Sequence, residues 1–144
     1  MFQLLARTVE IDRRRHLPKR GETLPQGEPN IPGSIVYAAV IHACGQIGDS
    51  SVIKGVWDAT KDIDPYVRTQ GLEALKLLDP LGEQSQSKAM AREALYDPRA
   101  SVVRTASALV LQYKDFEAVP ILRYVADTRP DLAYPLQETL KQLT

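Results

Sequence analysis

The sequence is short of several features, and each shortage excludes a class of protein. Its 144 residues include one cysteine, Cys44, and two histidines, so no intramolecular disulfide can form and no zinc-ligand spacing exists. No apolar run approaches the roughly 20 residues that span a bilayer, and the first residues lack the charged start and apolar core of a signal peptide. We therefore expect a soluble, cytoplasmic protein that does not bind a membrane.

An excess of charge of one sign is also lacking. Lysine plus arginine and aspartate plus glutamate both number 18, which gives a net charge of zero. Nucleic-acid-binding domains usually carry a basic excess or stripe, so this balance disfavours a nucleic acid as partner. The one basic cluster, residues 13–20 (RRRHLPKR), has two interpretations: a solvated helix end, or a contact to phosphates or to an acidic partner.

What is present is an ordinary globular composition. A hydrophobic content of 44% and a charged content of 25% suit a single domain over residues 1–144. Residues 15–33 differ, because they contain four prolines and three glycines and cannot be helical. A loop this long in a compact domain is either functional or disordered, and the sequence leaves both alternatives open.

Helical periodicity is clearest in residues 64–78. Asp64 can cap a helix with its carboxylate, and Pro65 suits the first helical position because its missing N–H has no partner there. Apolar or small residues then recur at helical spacing, at Val67, Gly71, Ala74, Leu75 and Leu78. This pattern predicts an amphipathic helix with one buried stripe.

The same unit returns along the chain. Asp97-Pro98 begins a second such helix, in which Val103-Arg104 repeats Val67-Arg68 after 36 residues. Pro130 begins a third, with a constant offset of 65, and an earlier helix over residues 34–45 places Val36 31 residues before Val67. A supersecondary unit that returns in this way is typical of a stacked solenoid.

A first helix precedes each of these second helices, over residues 2–14, 50–61, 86–96 and 116–127. We predict an all-α fold without a sheet, a right-handed α-solenoid of about four antiparallel helix pairs. No pair can bury its stripe alone. The terminal pairs are therefore expected to be part of a longer array or to form a homodimer through an open solenoid end.

Residues 43–49 (ACGQIGD) and 64–68 (DPYVR) resemble the HEAT-like repeats of phycobilisome (bilin) lyases, and residues 115–122 (DFEAVPIL) are similar to the start of that family's first helix. The resemblance covers roughly residues 34–143 and implies a HEAT-like or ARM superhelix. Tyr37 departs from the pattern, because the family has arginine there. A longer turn over residues 79–88 implies an irregular stack at that point.

Catalytic patterns are weak. His16 and His42 come from different elements and neither is followed by glutamate, which disfavours the di-iron hydroxylases that resemble this chain in fold. Cys44 has no base placed nearby and is expected to be a small buried hydrophobe. We predict no catalytic residue, no metal site and no cofactor, and hence a protein that is not an enzyme.

Repeated arginines near the starts of second helices predict contacts between repeats. Arg68 and Arg104, together with the capping Asp64, are expected to form a structural ladder along the stack. The alternative is a clamp for a ligand, because an arginine binds a carboxylate equally well in either setting.

The second helices are expected to line the concave surface, where solenoids of this type bind their partners. Tyrosine and arginine are enriched at interface hot spots, although a tyrosine can also fill a gap between repeats. The candidate partner-binding residues are Tyr37, His42, Tyr66, Thr69, Glu73, Gln112, Tyr134 and Glu138.

Two hypotheses for function follow. The first is a non-catalytic scaffold or adaptor that binds a protein partner on its concave second-helix face. The alternative, implied by the resemblance, is a subunit or relative of a bilin lyase that handles a tetrapyrrole chromophore on phycobiliproteins. That alternative requires a pigment-sized apolar cleft and a partner subunit. A nucleic-acid binder is a third hypothesis, which the zero net charge disfavours.

Overall fold

A computed structural model of the chain describes residues 34–48 and 50–144. The predicted helix 2–14 and the predicted loop 15–33 lie outside these residues. Seven α-helices fill most of the described part: α1 Ser34–Ile47, α2 Ile53–Ala59, α3 Pro65–Leu78, α4 Ser85–Ala94, α5 Ala100–Gln112, α6 Val119–Thr128 and α7 Ala133–Leu143. Short 3-10 turns at Ser50–Val52, Phe116–Ala118 and Pro130–Leu132 lead into α2, α6 and α7.

The helices stack in a row of antiparallel hairpins. Helices α2 and α3, α4 and α5, and α6 and α7 pack as pairs. The second helices also pack on one another, α1 on α3, α3 on α5 and α5 on α7, whereas the first helices α2 and α4 touch only slightly. No strand occurs in residues 34–48 or 50–144. The prediction of an all-α solenoid is confirmed, and the closely spaced second helices form its shorter, inner row.

Helix α3 begins where the sequence predicts. The carboxylate of Asp64 accepts the backbone N–H of Tyr66 at 2.8 Å, and Pro65 occupies the first helical position. Gly71 then allows α3 to approach the end of α2, since a Cβ at Gly71 would lie 2.9 Å from the backbone nitrogen of Thr60. A larger residue at position 71 would force the two helices apart.

The register of α5 differs by one residue from the predicted offset of 36. Every buried position of α3 recurs 35 residues later in α5, so that Val67 corresponds to Val102 and Leu75 to Val110. The shift arises because Asp97-Pro98 does not begin α5. The Asp97 carboxylate accepts the N–H of Arg99, two residues on, just as the carboxylate two residues before Asp64 accepts that residue's N–H.

The other two offsets have opposite outcomes. In α7 the offset of 65 agrees with burial, because Leu132, Leu136 and Leu143 are all buried. In α1 the predicted register is wrong, because Val36 is 56% exposed and Tyr37 only 2%. An offset of 34 from α1 to α3 aligns the buried positions of the two helices instead.

The longer turn at residues 79–88 is held by one carboxylate. Asp79 is buried and accepts the backbone N–H groups of Glu83 and Gln84 at 2.9 and 3.1 Å. Gly82, with a φ of +67°, lies directly against the ring of Tyr113, so a side chain there would collide with the ring. The turn thus joins the α3–α4 connection to the end of α5.

Candidate functional site

Three arginines join neighbouring hairpins, and Arg68 on α3 is the first. Its guanidinium binds the Asp97 carboxylate in bidentate fashion, with Nε to Oδ2 at 2.7 Å and Nη2 to Oδ1 at 3.1 Å. Its Nη1 donates to the carbonyls of Asp62 and Ile63 at 2.8 and 3.0 Å. Arg68 therefore ties the turn before α3 to the turn before α5.

Arg129, just before α7, plays the corresponding role one hairpin later. Its Nη1 donates to the carbonyl of Asp97 and its Nη2 to the carbonyl of Pro98 at 3.0 Å. These carbonyls stand 35 residues after the two that Arg68 binds. Asp97 thus holds Arg68 with its carboxylate and Arg129 with its carbonyl, and it links three consecutive hairpins.

Arg92 joins the first helices. It donates from Nε and Nη2 to the buried carboxylate of Asp115 at 2.5 and 2.7 Å, and Nη1 lies 3.0 Å from Glu117. The hydrogen bond to Asp115, and secondarily the two nearby carboxylates, raise the pKa of the Arg92 guanidinium. Arg92 is therefore fixed as a cation between α4 and the turn before α6.

Arg104 does not extend this ladder, contrary to the sequence prediction. With an offset of 35, the residue that corresponds to Arg68 is Val103, which is buried, and Arg104 corresponds to Thr69. Arg104 is exposed, and within residues 34–48 and 50–144 its guanidinium makes no hydrogen bond or ion pair. The ladder is completed instead by Arg129, which reaches back from the next hairpin.

The outward positions of the second helices form a surface that we call the second-helix face. Residues in the same register on α1, α3, α5 and α7 lie side by side and make three rows. The first row is Ile35, Thr69, Arg104 and Tyr134; the second is Ala39, Glu73, Ala108 and Glu138; the third is His42, Lys76, Leu111 and Lys141.

Most of the predicted partner-binding residues lie on this face. Tyr66 and Tyr134 are 51% and 75% exposed. Thr69 is half-buried, and its hydroxyl donates to the Pro65 carbonyl at 2.9 Å. His42 is exposed on α1. The face therefore presents two exposed tyrosines near the starts of α3 and α7.

The charges of the face are largely neutralised within single helices. Glu73 pairs with Lys76 at 3.3 Å on α3, and Glu138 pairs with Lys141 at 3.1 Å on α7. These two pairs occupy the same register, because an offset of 65 relates both their acids and their lysines. Arg104, on the helix between them, is the charged residue of this face that has no counter-ion among the described residues.

Gln112 contributes to the fold as well as to the surface. Its amide nitrogen donates to the carbonyls of Lys76 and Pro80 at 3.2 and 2.9 Å, which fixes the end of α5 against α3. The side chain is exposed, so its amide oxygen faces solvent. A partner can meet only the acceptor side of this amide.

Tyr37 requires a correction. It was expected to contact a partner, but its side chain is 2% exposed because the inward face of α1 lies one residue beyond the predicted register. Tyr113 is likewise buried, and its hydroxyl has no hydrogen-bond partner. Both tyrosines are part of the packing between helices.

Sequence reasoning missed an aromatic group on the first helices. The rings of Tyr96 and Tyr124 lie 6.3 Å apart with a tilt of 54°. Phe116, Pro120 and Tyr124 are all exposed and follow one another at intervals of four residues along α6. That interval was visible in the sequence, but the contact with Tyr96 joins two hairpins and has no local signal.

A hollow of about 400 Å³ lies between α2 and α4. Its apolar walls are Trp57, whose indole N–H donates to the Ser87 hydroxyl at 3.0 Å, and Met90. The other lining residues are charged or polar, namely Lys54, Asp58, Lys61 and Gln86. The hollow suits a side chain from a partner better than a large apolar ligand.

The described residues contain no group of three or more histidine, cysteine, aspartate or glutamate side chains that could hold a metal ion. Cys44 is buried in α1. No helix within residues 34–48 or 50–144 has the length and apolar character needed to cross a bilayer.

Comparison with known families agrees with this architecture. A family model for HEAT repeats matches residues 32–112, which is more than half of the 144 residues. Comparison with curated proteins yields no match. The matched segment contains α1 to α5, where the second helices stack most closely. The chain therefore belongs to the HEAT-repeat family.

Proposed function

We propose that the protein is a non-catalytic scaffold or adaptor that binds a protein partner on its second-helix face. The observation that carries this proposal is the stack of second helices, which forms the inner row of the solenoid and exposes Tyr66 and Tyr134. Inner surfaces of this kind are where α-solenoids bind extended partners. Tyrosines are among the residues that contribute most to interface energy.

The size of the face supports the same proposal. A helix of 13 residues is about 20 Å long, and four helices packed about 10 Å apart span about 30 Å. The face therefore covers roughly 600 Å², somewhat less than the 800 Å² that each partner buries in an interface of standard size. A surface of this area suits an extended segment or one helix of a partner.

The bilin-lyase alternative has less support. It requires a pigment-sized apolar cleft, and the hollow beside Trp57 is bordered by Lys54, Asp58 and Lys61. A protein partner needs no such cleft. We therefore place binding of a protein first and handling of a tetrapyrrole second.

Matched double variants test the proposed surface. Tyr66→Ala with Tyr134→Ala removes the exposed aromatic rings from the second-helix face, and Phe116→Ala with Tyr124→Ala removes two from the first helices. Proteins captured by the wild-type chain should be lost with the first double variant and kept with the second. The opposite pattern would transfer the binding function to the first-helix aromatic group and refute the proposal.

Self-association through an end of the stack stays a separate prediction. The exposed side chains of α7 include Gln137, Lys141 and Gln142, so the surface at that helix is polar. Sedimentation velocity at several concentrations measures self-association directly. A mass that rises with concentration would support a dimer.

A further inference from the structure

Resting on the proposed function, the geometry points to Arg104 as the residue that selects the partner. We propose that Arg104 binds a carboxylate of an extended partner segment that carries an apolar residue two or three positions away. The surface thus recognises an acidic peptide of defined spacing.

The first argument is charge. The acids of the second-helix face are already paired, Glu73 with Lys76 and Glu138 with Lys141. Asp131, near Tyr134, lies 3.5 Å from Arg129. Arg104 therefore leaves the described part of this face with one uncompensated positive charge, and an acidic group is the complement that neutralises it.

The second argument is shape. Ala108 and Leu111 follow Arg104 on α5 and lie between the two Glu–Lys pairs of α3 and α7, in the same registers. Alanine is short and Leu111 is half-buried, so this part of α5 is an apolar depression between two charged helices. An apolar side chain of the partner fits there without displacing either ion pair.

The spacing of the motif follows from helix geometry. Ala108 lies about 6 Å and Leu111 about 10 Å along α5 from Arg104, at 1.5 Å per residue. An extended peptide advances about 3.3 Å per residue. The carboxylate and the apolar residue of the partner must therefore be two or three positions apart.

A carboxylate suits this site better than a phosphate. Phosphate groups are usually held by clusters of arginines, whereas Arg104 is alone. Glu73 and Glu138 stand about one helical turn away on the flanking helices and would repel a dianion more strongly than a monoanion. The same acids oppose a nucleic-acid backbone.

Selection from a phage-displayed library of random short peptides tests the proposal. Wild type, Arg104→Glu, Ala108→Arg and the control Arg123→Glu are used in parallel. Arg123 is a suitable control because it is an exposed arginine on α6 without a counter-ion in the described residues. Circular dichroism first establishes that each variant keeps the wild-type melting curve.

The wild-type chain and Arg123→Glu should enrich peptides with Asp or Glu two or three positions from an apolar residue. Arg104→Glu should enrich Lys or Arg in place of the acid. A selected peptide should bind Arg104→Ala about five- to tenfold more weakly, and its affinity should not increase when phosphoserine replaces the acid.

The contrary outcomes separate the two proposals. If binding is lost with Ala108→Arg but is indifferent to both changes at Arg104, the second-helix face binds peptides and the role of Arg104 is wrong. If neither position affects the selected peptides, or if no peptide is enriched, the proposed binding surface itself is overturned. A preference for phosphoserine would replace the carboxylate by a phosphate and also contradict the inference.

Discussion

Arginines in two regions of this molecule have opposite environments. At the hairpin junctions, Arg68 and Arg129 are held by carbonyls and a carboxylate, and both converge on Asp97. On the second-helix face, Arg104 has no such partner among the described residues. The contrast shows that register decides the role of an arginine in a solenoid, because a shift of one residue along α5 separates the junction from the exposed face.

The two regions should also differ in energy. The side chains of Arg68 and Asp97 are 14% and 9% exposed, so loss of one partner leaves a charge that water cannot fully solvate. The Glu–Lys pairs of the face lie within one helix and are open to solvent. Each is therefore worth about 0.2–0.5 kcal/mol.

Substitution at the junction should have the largest effect. Asp97→Ala removes the bidentate partner of Arg68 and the acceptor for the Arg99 N–H, and we expect it to lower the free energy of unfolding by about 3 kcal/mol. Arg104→Ala should change it by less than about 0.5 kcal/mol. Urea unfolding followed by circular dichroism measures both, and equal effects would remove the distinction between the two regions.

Packing within a hairpin offers a second comparison, between two glycines. Gly71→Ala places a Cβ 2.9 Å from the Thr60 backbone nitrogen and should destabilise the protein by about 2 kcal/mol. Gly55, within α2, has open space around its Cβ direction, so Gly55→Ala should stabilise the helix by about 0.5–1 kcal/mol. Changes of the same sign in thermal unfolding would contradict the close approach of α2 and α3.

Tyr113 links the junctions to pH. Burial, and secondarily the Asp79 carboxylate, raise the pKa of the Tyr113 hydroxyl, and the nearby Ser87 hydroxyl counteracts them without reaching hydrogen-bond geometry. In the unfolded chain the hydroxyl ionises near pH 10. Above that pH the unfolded chain loses a proton that the folded chain retains, so stability must fall as pH rises.

The variant Tyr113→Phe should remove this share of the alkaline loss. Near neutral pH it should change the free energy of unfolding by at most about 1 kcal/mol, towards greater stability, because it deletes a buried hydroxyl without a partner. Unfolding of both proteins at about pH 8 and about pH 10.5 gives the comparison. An identical alkaline decline in the two proteins would place the sensitive group elsewhere.

The sequence predicted the helices better than their contacts. The stripe of α3 and the leucines of α7 defined two second helices correctly, because their apolar spacing is regular. The register of α5 was missed because the same Asp-Pro pair begins α3 but precedes α5 by two residues. Arg129 was not foreseen as a junction residue, since its main acceptors are backbone carbonyls, which every residue possesses.

For the candidate site, the sequence identified the side chains that project from α3 and α7, and it failed at Tyr37, where one residue of register decides burial. The contact between Tyr96 and Tyr124 joins two hairpins, so only the stacked structure brings it together. Properties of one helix were therefore predictable, whereas properties of a junction required the relative register of two helices.

The smallest expected effect lies on the face itself. Glu138→Gln breaks the pair with Lys141 and should lower the free energy of unfolding by only about 0.3 kcal/mol. It also leaves Lys141 uncompensated, so the second-helix face then has two unpaired cations in place of one. An acidic peptide selected on the wild-type chain should bind this variant at least as tightly and with a steeper dependence on salt, which isothermal titration at two ionic strengths measures. Weaker binding would mean that Glu138 contacts the partner directly, and the face would then recognise more than the charge at Arg104.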